Sequence, residues 1–566
     1  MIILLLRNMF LIASFKIMIF GLMNISRNKF TITVVVLAIT FFAGIACKNK
    51  LIEEQQIFTY NESSDIATLD PAFAKNQSIM WAVHQLYNTL VEVDSNLQIV
   101  PSLAKKWEIS NDKLTYTFYL RDSVFFHEND AFAYPTQRRL TAADVVYSYN
   151  RIVDKQVASS GAWIFNNRVA PNGFKAINDT VFQLTLLKPF FPILGILSTQ
   201  YCSIVPREVV EKYGKDFRRN PCGSGPFKFK YWDEGQALVL HKNVKYWEKD
   251  KVGKQLPYLN AISIRFFGNK ATEFLQFRQG KLSFMNDIDA SFKDEVLTKA
   301  GQLRPKWNGL ISLKKNSYLN VEYFGILMDS VLPQNKQLAT NNLLVRQAIN
   351  YAIDKRKLMM YMRNSIGIAA EAGFVPSGLP SNNTKVVQGY NYNPTKAIAL
   401  LQQANYKPNL QNPIQIITIP IYADLASFVA KQLEEVGIIA MVDVVQKSVL
   451  LEKTSTASAP FFRGSWIADY PDAENYMAMF YSKNPAPPNY TRYKNAAFDK
   501  MYEQALQTTN DSLRYQLYQQ LDQLVINDAP IVPLWYDEVI HFVQPNIKGF
   551  TPNALNLLEL RRAYIE

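Results

Sequence analysis

The sequence predicts an α/β protein with mixed sheets, and two stretches carry that prediction. Between Ile414 and Val445 an apolar strand, Ile414 to Ile421, precedes a helical stretch, Asp424 to Val436, which Gly437 ends before a second strand, Ile438 to Val444. Strand, helix and strand in so short a span make a βαβ unit, which implies a parallel pair joined by a right-handed crossover. By contrast, Leu114 to Leu120 and Thr180 to Leu186 alternate apolar and polar residues as half-buried antiparallel strands do. At 566 residues the chain is several times the usual domain length of about 100–150 residues, so several lobes and a buried cleft are expected. Hydrophobic residues make up 48% and charged residues 19%, the balance of a globular protein rather than a disordered one.

In chain order the first element is an export signal. Phe30 to Ala46 carries no charge and follows Arg27 and Lys29, the basic, apolar and small-residue order of a secretory signal, and the run is short for a spanning helix of about 20 residues. Met23 would begin a signal of ordinary length, which makes residues 1–22 an over-extended start. Gly44-Ile45-Ala46-Cys47 resembles a bacterial lipobox, in which the cysteine is acylated and becomes the new N-terminus, and departs from it at Gly44, where Leu is usual. Lipidation at Cys47 and an uncleaved anchor both export the rest of the chain and hold it at a membrane. Lys48 to Gln56 then reads as a polar tether before the strand Ile57 to Tyr60.

Two helix starts follow. Thr141-Ala142-Ala143-Asp144 is a capping box, with Val145, Val146 and Tyr149 behind it. Asn393-Pro394 supplies an N-cap and a first-turn proline, and Ile398, Leu401 and Ala404 keep helical spacing. Cys202 and Cys222 fit a disulfide and a pair of buried thiols equally well, since their separation fixes no geometry.

The chemistry encoded is that of a binding protein. The formal charge of +13 is spread along the chain in short runs such as Lys105-Lys106 and Arg218-Arg219, and the leader alone supplies four of the bases, so no nucleic-acid partner is predicted. His84, His127, His241 and His541 are scattered with no close ligand pair, so neither zinc nor any other metal or cofactor is predicted. The chain has no C-x-x-C and no phosphate-binding loop, and Cys222-Gly223-Ser224-Gly225 lacks the spacing of a nucleophile elbow, so no enzyme is predicted.

From about Ile57 to the C-terminus the chain is similar to the large solute-binding proteins of peptide-type ABC importers, extracellular solute-binding family 5. The resemblance rests on ordered motifs: Pro101 to Trp107, Tyr116 to Arg121 and Val124 to His127; the helix Thr141 to Ser148; the glycine turn Asn220 to Phe227, where Cys222 replaces an apolar residue; Val345 to Lys355; and Trp466-Ile467-Ala468-Asp469-Tyr470-Pro471-Asp472. It implies a type II periplasmic-binding-protein-like fold in which two lobes close over a ligand. By that analogy lobe I takes 57–92, 205–305 and 530–566, an additional inserted domain takes 93–204, and lobe II takes 306–529.

A receptor for peptides of varied sequence must hold what all peptides share, namely a main chain, an ammonium and a carboxylate. The resemblance assigns the ammonium to Asp469, through a charge-assisted hydrogen bond in a cleft that dehydrates on closure. Arg463 is placed to meet the carboxylate with its planar fork of donors. The strand Phe461 to Ala468 would offer its edge to an extended ligand, flanked by Trp466 and Tyr470, with Trp163 as an aromatic lid and Asn320 and Tyr323 facing the ligand. The expected partners are short peptides, an ABC permease complex, and a membrane reached through the N-terminal lipid on the periplasmic side of the envelope. The same fold with a nickel chelate, haem or an oligosaccharide as cargo is the alternative.

Overall fold

The structure, a computed structural model, describes residues 56–63, 65–329 and 335–566. The expected export signal, Cys47 and most of the expected tether lie outside the described residues. Phe58 to Glu566 form one compact unit.

Strand β1 (Ile57–Glu62) opens that unit. After a short two-stranded ribbon, Val91–Val93 with Ile99–Pro101, the strands β2 (Ala104–Ile109), β3 (Thr115–Leu120), β4 (Val169–Asn178) and β5 (Val181–Leu186) form an antiparallel sheet in the order β2-β3-β5-β4. Strands β6 (Phe227–Asp233), β7 (Ala237–Lys242) and β8 (Ala261–Phe266) join the first in a second sheet, β1-β8-β7-β6. The largest sheet has seven strands. It takes β9 (Phe284–Asn286), β10 (Ser312–Ile326), β11 (Ile414–Thr418), β12 (Ala440–Val444), β13 (Phe461–Ile467) and β14 (Ile531–Val543) in the order β9-β14-β10-β13-β11-β12, with Ile368–Ala369 added along β14.

The antiparallel pair expected from alternation is β3 with β5, where Phe118 stands opposite Phe182 and alternate residues are buried. The βαβ unit is also present. Strands β11 and β12 run parallel, Ile414 beside Ala440 and Thr418 beside Val444, around the helix Ala423–Glu435. Gly437, at φ +90°, makes the turn out of that helix, a conformation that costs other residues more. The first strand ends at Thr418, three residues before the predicted Ile421. Pro420 has no N–H for the ladder and opens the one-turn helix Pro420–Tyr422, leaving Ile421 exposed.

Helix α1 (Ala142–Val153) begins at the predicted box, with the Asp144 carboxylate accepting the Thr141 backbone N–H at 2.8 Å and its hydroxyl at 3.0 Å. Helix α2 (Pro394–Gln403) is capped by Asn393, whose side chain accepts from the Lys396 N–H at 2.9 Å. Its inward face is Ala397 and Leu401, while Ile398 is exposed, so the apolar stripe lies one residue earlier than the spacing implied.

The large sheet separates two apolar clusters by the two-residue period of its strands. Leu319, Val321 and Tyr323 of β10 pack with Phe462 of β13 on one face, and Phe324 and Ile326 pack with Phe461 on the other. A third cluster joins the two smaller sheets. Strands β10 and β14 are long enough to pair twice, Ser312 to Ser317 against Val543 to Glu538 and Val321 to Gly325 against Tyr536 to Ile531, with a bulge between at Tyr318 to Asn320.

Candidate functional site

Strand β13 ends where Ala468 donates its N–H to the Leu319 carbonyl at 2.8 Å, and the chain turns through Asp469-Tyr470-Pro471 into the short helix Glu474–Met477. The turn is organised by Asn475, which is buried. Its amide oxygen accepts from the Trp466 indole N–H at 2.9 Å and from the Asp469 backbone N–H at 3.3 Å, while its amide nitrogen donates to the Asp469 carboxylate at 3.3 Å. Beside it the buried Glu474 accepts from the hydroxyls of Tyr470 and Tyr502.

This turn forms one wall of a cavity of about 960 Å³. The facing wall comes from Trp163, Arg168, Lys188 and Phe190, some 300 residues earlier in the chain. The walls are tied together at one edge, where the Phe191 N–H donates to the Leu506 carbonyl at 3.0 Å and the Lys113 ammonium to the Gln507 carbonyl at 2.9 Å. Asp469 presents an exposed carboxylate to the cavity, and among the described residues no lysine or arginine pairs with it. The surrounding wall raises its pKa by withholding water, against the Asn475 hydrogen bond and the field of Arg168, which lower it. Burial raises Glu474 as well, against its two tyrosine hydrogen bonds.

Of the residues expected at a ligand, Asp469, Trp466, Tyr470 and Trp163 line this cavity together. The other three do not line it. Arg463 is held by the Glu322 carboxylate at 2.5 and 2.6 Å and lies over the Tyr422 ring at 3.6 Å. Asn320 donates to Asp537 at 2.6 Å, in a cluster where Asp537 also accepts from Arg363 at 2.6 Å. Tyr323 is buried against Phe374, its ring lying where Gly464 of the neighbouring strand leaves room: a Cβ on that glycine would come within 2.5 Å of the ring. On the side away from β10, strand β11 covers only Phe461 and Phe462 of β13, so the following residues have no strand neighbour there.

Sequence reasoning missed Asn475, Glu474, Tyr502, Arg168 and Lys188. Asn475 follows Asp469 by six residues, and only the turn at Pro471 folds it back; Arg168 lies in a loop with no pattern of its own. Cys202 and Cys222 are both free and buried, and burial pushes the Cys202 thiol up to about 12. Among the described residues no cluster of histidine, cysteine or carboxylate side chains is placed to hold a metal ion, and no helix is long and apolar enough to cross a membrane.

A mixed α/β frame whose distant segments enclose a charged, water-accessible cavity has the character of a ligand-binding protein. The sequence model of bacterial extracellular solute-binding proteins, family 5 (middle), matches residues 98–488, more than half the chain, and the chain belongs to that family of ABC-importer solute-binding proteins. It is 26% identical over 505 residues to the dipeptide-binding protein of Escherichia coli K12, covering 85% of this chain and 89% of that one. It is 27% identical over 491 residues to Heme-binding protein A of Haemophilus influenzae, covering 82% and 84%. The solved structure of HbpA2 from Haemophilus parasuis superposes with a TM-score of 0.79 at 24% identity, covering 90% of this chain and all of that one. The fold is that of the type II periplasmic binding proteins, as the motifs implied.

Proposed function

We propose that this protein captures short peptides by closing two lobes and an inserted domain around them, and delivers them to the permease of an ABC importer while tethered to a membrane through a lipid on Cys47. The observation that carries the cargo reading is Asp469: a carboxylate oriented by Asn475, turned into the cavity and without a cation of its own. A ligand ammonium completes it. Charge-assisted bonds of this kind are stronger than neutral ones, and truncating one partner of such a pair costs about 2–5 kcal/mol once the site is dehydrated. The lobes in this reading are 57–92 with 205–305 and 530–566, and 306–529, with 93–204 inserted; Trp466, Tyr470 and Trp163 flank the ligand. The relative named for dipeptides supports the same cargo.

A second reading, haem, is favoured by the relative named for it. Its two propionates and lack of an ammonium fit Asp469 poorly, and none of the four histidines lines the cavity. Thermal unfolding of the chain from Lys48 onward, with di-, tri- and pentapeptide pools, separates the two. Ligand at a hundredfold excess over its dissociation constant adds about 2.7 kcal/mol of stability, a readily visible rise in the midpoint. We expect that rise with peptides and its loss in Asp469→Asn; a rise with haem alone would favour the second reading.

A further inference from the structure

The cavity has a second pole that no part of the peptide-ammonium reading uses. Arg168 and Lys188 stand on the wall facing Asp469, brought side by side because the Leu187 N–H donates to the Arg168 carbonyl at 2.8 Å. Arg168 is half-buried and held in one orientation. Its Nη1 donates to the main-chain carbonyls of Trp163 at 2.7 Å and Ile164 at 3.1 Å, and its guanidinium lies over the rings of Phe190 at 5.0 Å and Trp163 at 5.9 Å. Among the described residues its Nε and Nη2 have no acceptor, and no carboxylate lies within 4 Å of it. The neighbouring arginines differ: Arg463, Arg363 and Arg514 are each paired with an acid, Glu322, Asp537 and Asp472.

We propose that Arg168, assisted by Lys188, is the anchor for the carboxylate end of a ligand whose ammonium sits on Asp469, so that the cavity selects zwitterions. This rests on the peptide reading and deepens it. A rigid guanidinium with free N–H groups is the side chain best matched to a carboxylate, and because its rotamer is already fixed little freedom is lost on binding. The two poles also reject the wrong charge. A simple amine would leave Arg168 with no anion to pair it, and a simple acid would leave Asp469 with no cation. The assignment moves the carboxylate site from Arg463, which is ion-paired with Glu322 through its Nη2 and does not line the cavity, to the wall formed by Trp163 to Phe190.

Calorimetric titration of the chain from Lys48 onward with one tripeptide in three forms, free, N-acetylated and C-amidated, tests this. In the wild type both modifications are expected to weaken binding about ten- to a hundredfold. In Arg168→Gln the amidation penalty should fall most of the way, and in the double variant Arg168→Gln/Lys188→Gln it should vanish, while the penalty for acetylation persists in both, which also shows that the variants are folded. Lys188→Gln, which leaves the Arg168 loop intact, should shrink the amidation penalty in part. An amidation penalty as large in Arg168→Gln as in the wild type, or no such penalty in the wild type, would overturn the inference and leave the ammonium site standing. No binding of any form would overturn both.

Discussion

At the scale of single residues, the proposed function turns on one carboxylate with a shifted acidity. The folded environment raises the Asp469 pKa, chiefly because the cavity wall withholds water from it, and in the proposed reading a ligand ammonium binds the charged form. Affinity should therefore be complete at neutral pH and fall as pH drops through that raised value, earlier than an ordinary aspartate would allow. Titrations of wild type and Asp469→Asn between pH 4 and 7.5 check this, and the variant should bind weakly with a flat profile over that range. The place of Asp469 on the cavity wall was legible in the sequence because a short motif, Trp466 to Asp472, carries it. Its partner Asn475 was not, since a hydrogen bond made across a proline-directed turn leaves no periodic signal. Arg463 was legible as an arginine on the strand before the Asp469 turn, but Glu322, the carboxylate that pairs with it, stands on the adjacent strand 141 residues away.

At the scale of elements, the strand that leads into the site depends on its neighbours. Gly464 faces Tyr323 so closely that a single added methyl meets the ring, and overpacking of this kind costs about 1–3 kcal/mol. Gly464→Ala should lower the urea midpoint by a corresponding amount without touching Asp469, and peptide affinity measured well below that midpoint should change little. On the other face of the same strand, Arg463 and Glu322 are both largely shielded from water, and removing one leaves the other charged and unpaired, which costs about 3–5 kcal/mol. Arg463→Ala should therefore act on the unfolding midpoint and leave the preference for a free peptide carboxylate intact. Elements built from local pattern were readable in advance: the capping box at Thr141, the βαβ unit, and the β3–β5 pair. Boundaries set by long-range packing were less so. Strand β11 stops short because Pro420 interrupts it, and α2 buries Ala397 rather than Ile398 because the helix rotates to fit its neighbours.

At the scale of the whole molecule, the cavity exists only because two distant stretches of chain meet. Lys113 and Phe191 reach the main chain of Gln507 and Leu506, the Arg514 guanidinium lies over the Phe191 ring at 4.3 Å, and Arg514 is itself paired with Asp472 at 3.3 Å, three residues beyond Asp469. That chain of contacts joins the wall carrying Arg168 to the wall carrying Asp469, which is why neither the cavity nor its second pole could be read from spacing. It also makes a prediction about closure. Removing the Phe191 ring takes away the cation–π contact, worth about 0.5–2 kcal/mol, together with its share of apolar burial, while leaving every charged group in the cavity in place. Phe191→Ala should therefore favour the open arrangement and speed ligand release several-fold, with a smaller change in association. In the proposed closure the whole ligand is held rather than one end of it, so the loss should be the same for free, N-acetylated and C-amidated peptides. Stopped-flow dissociation of a fluorescent tripeptide measures it; a loss confined to one terminus would mean that Phe191 contacts the ligand directly instead of holding the walls together.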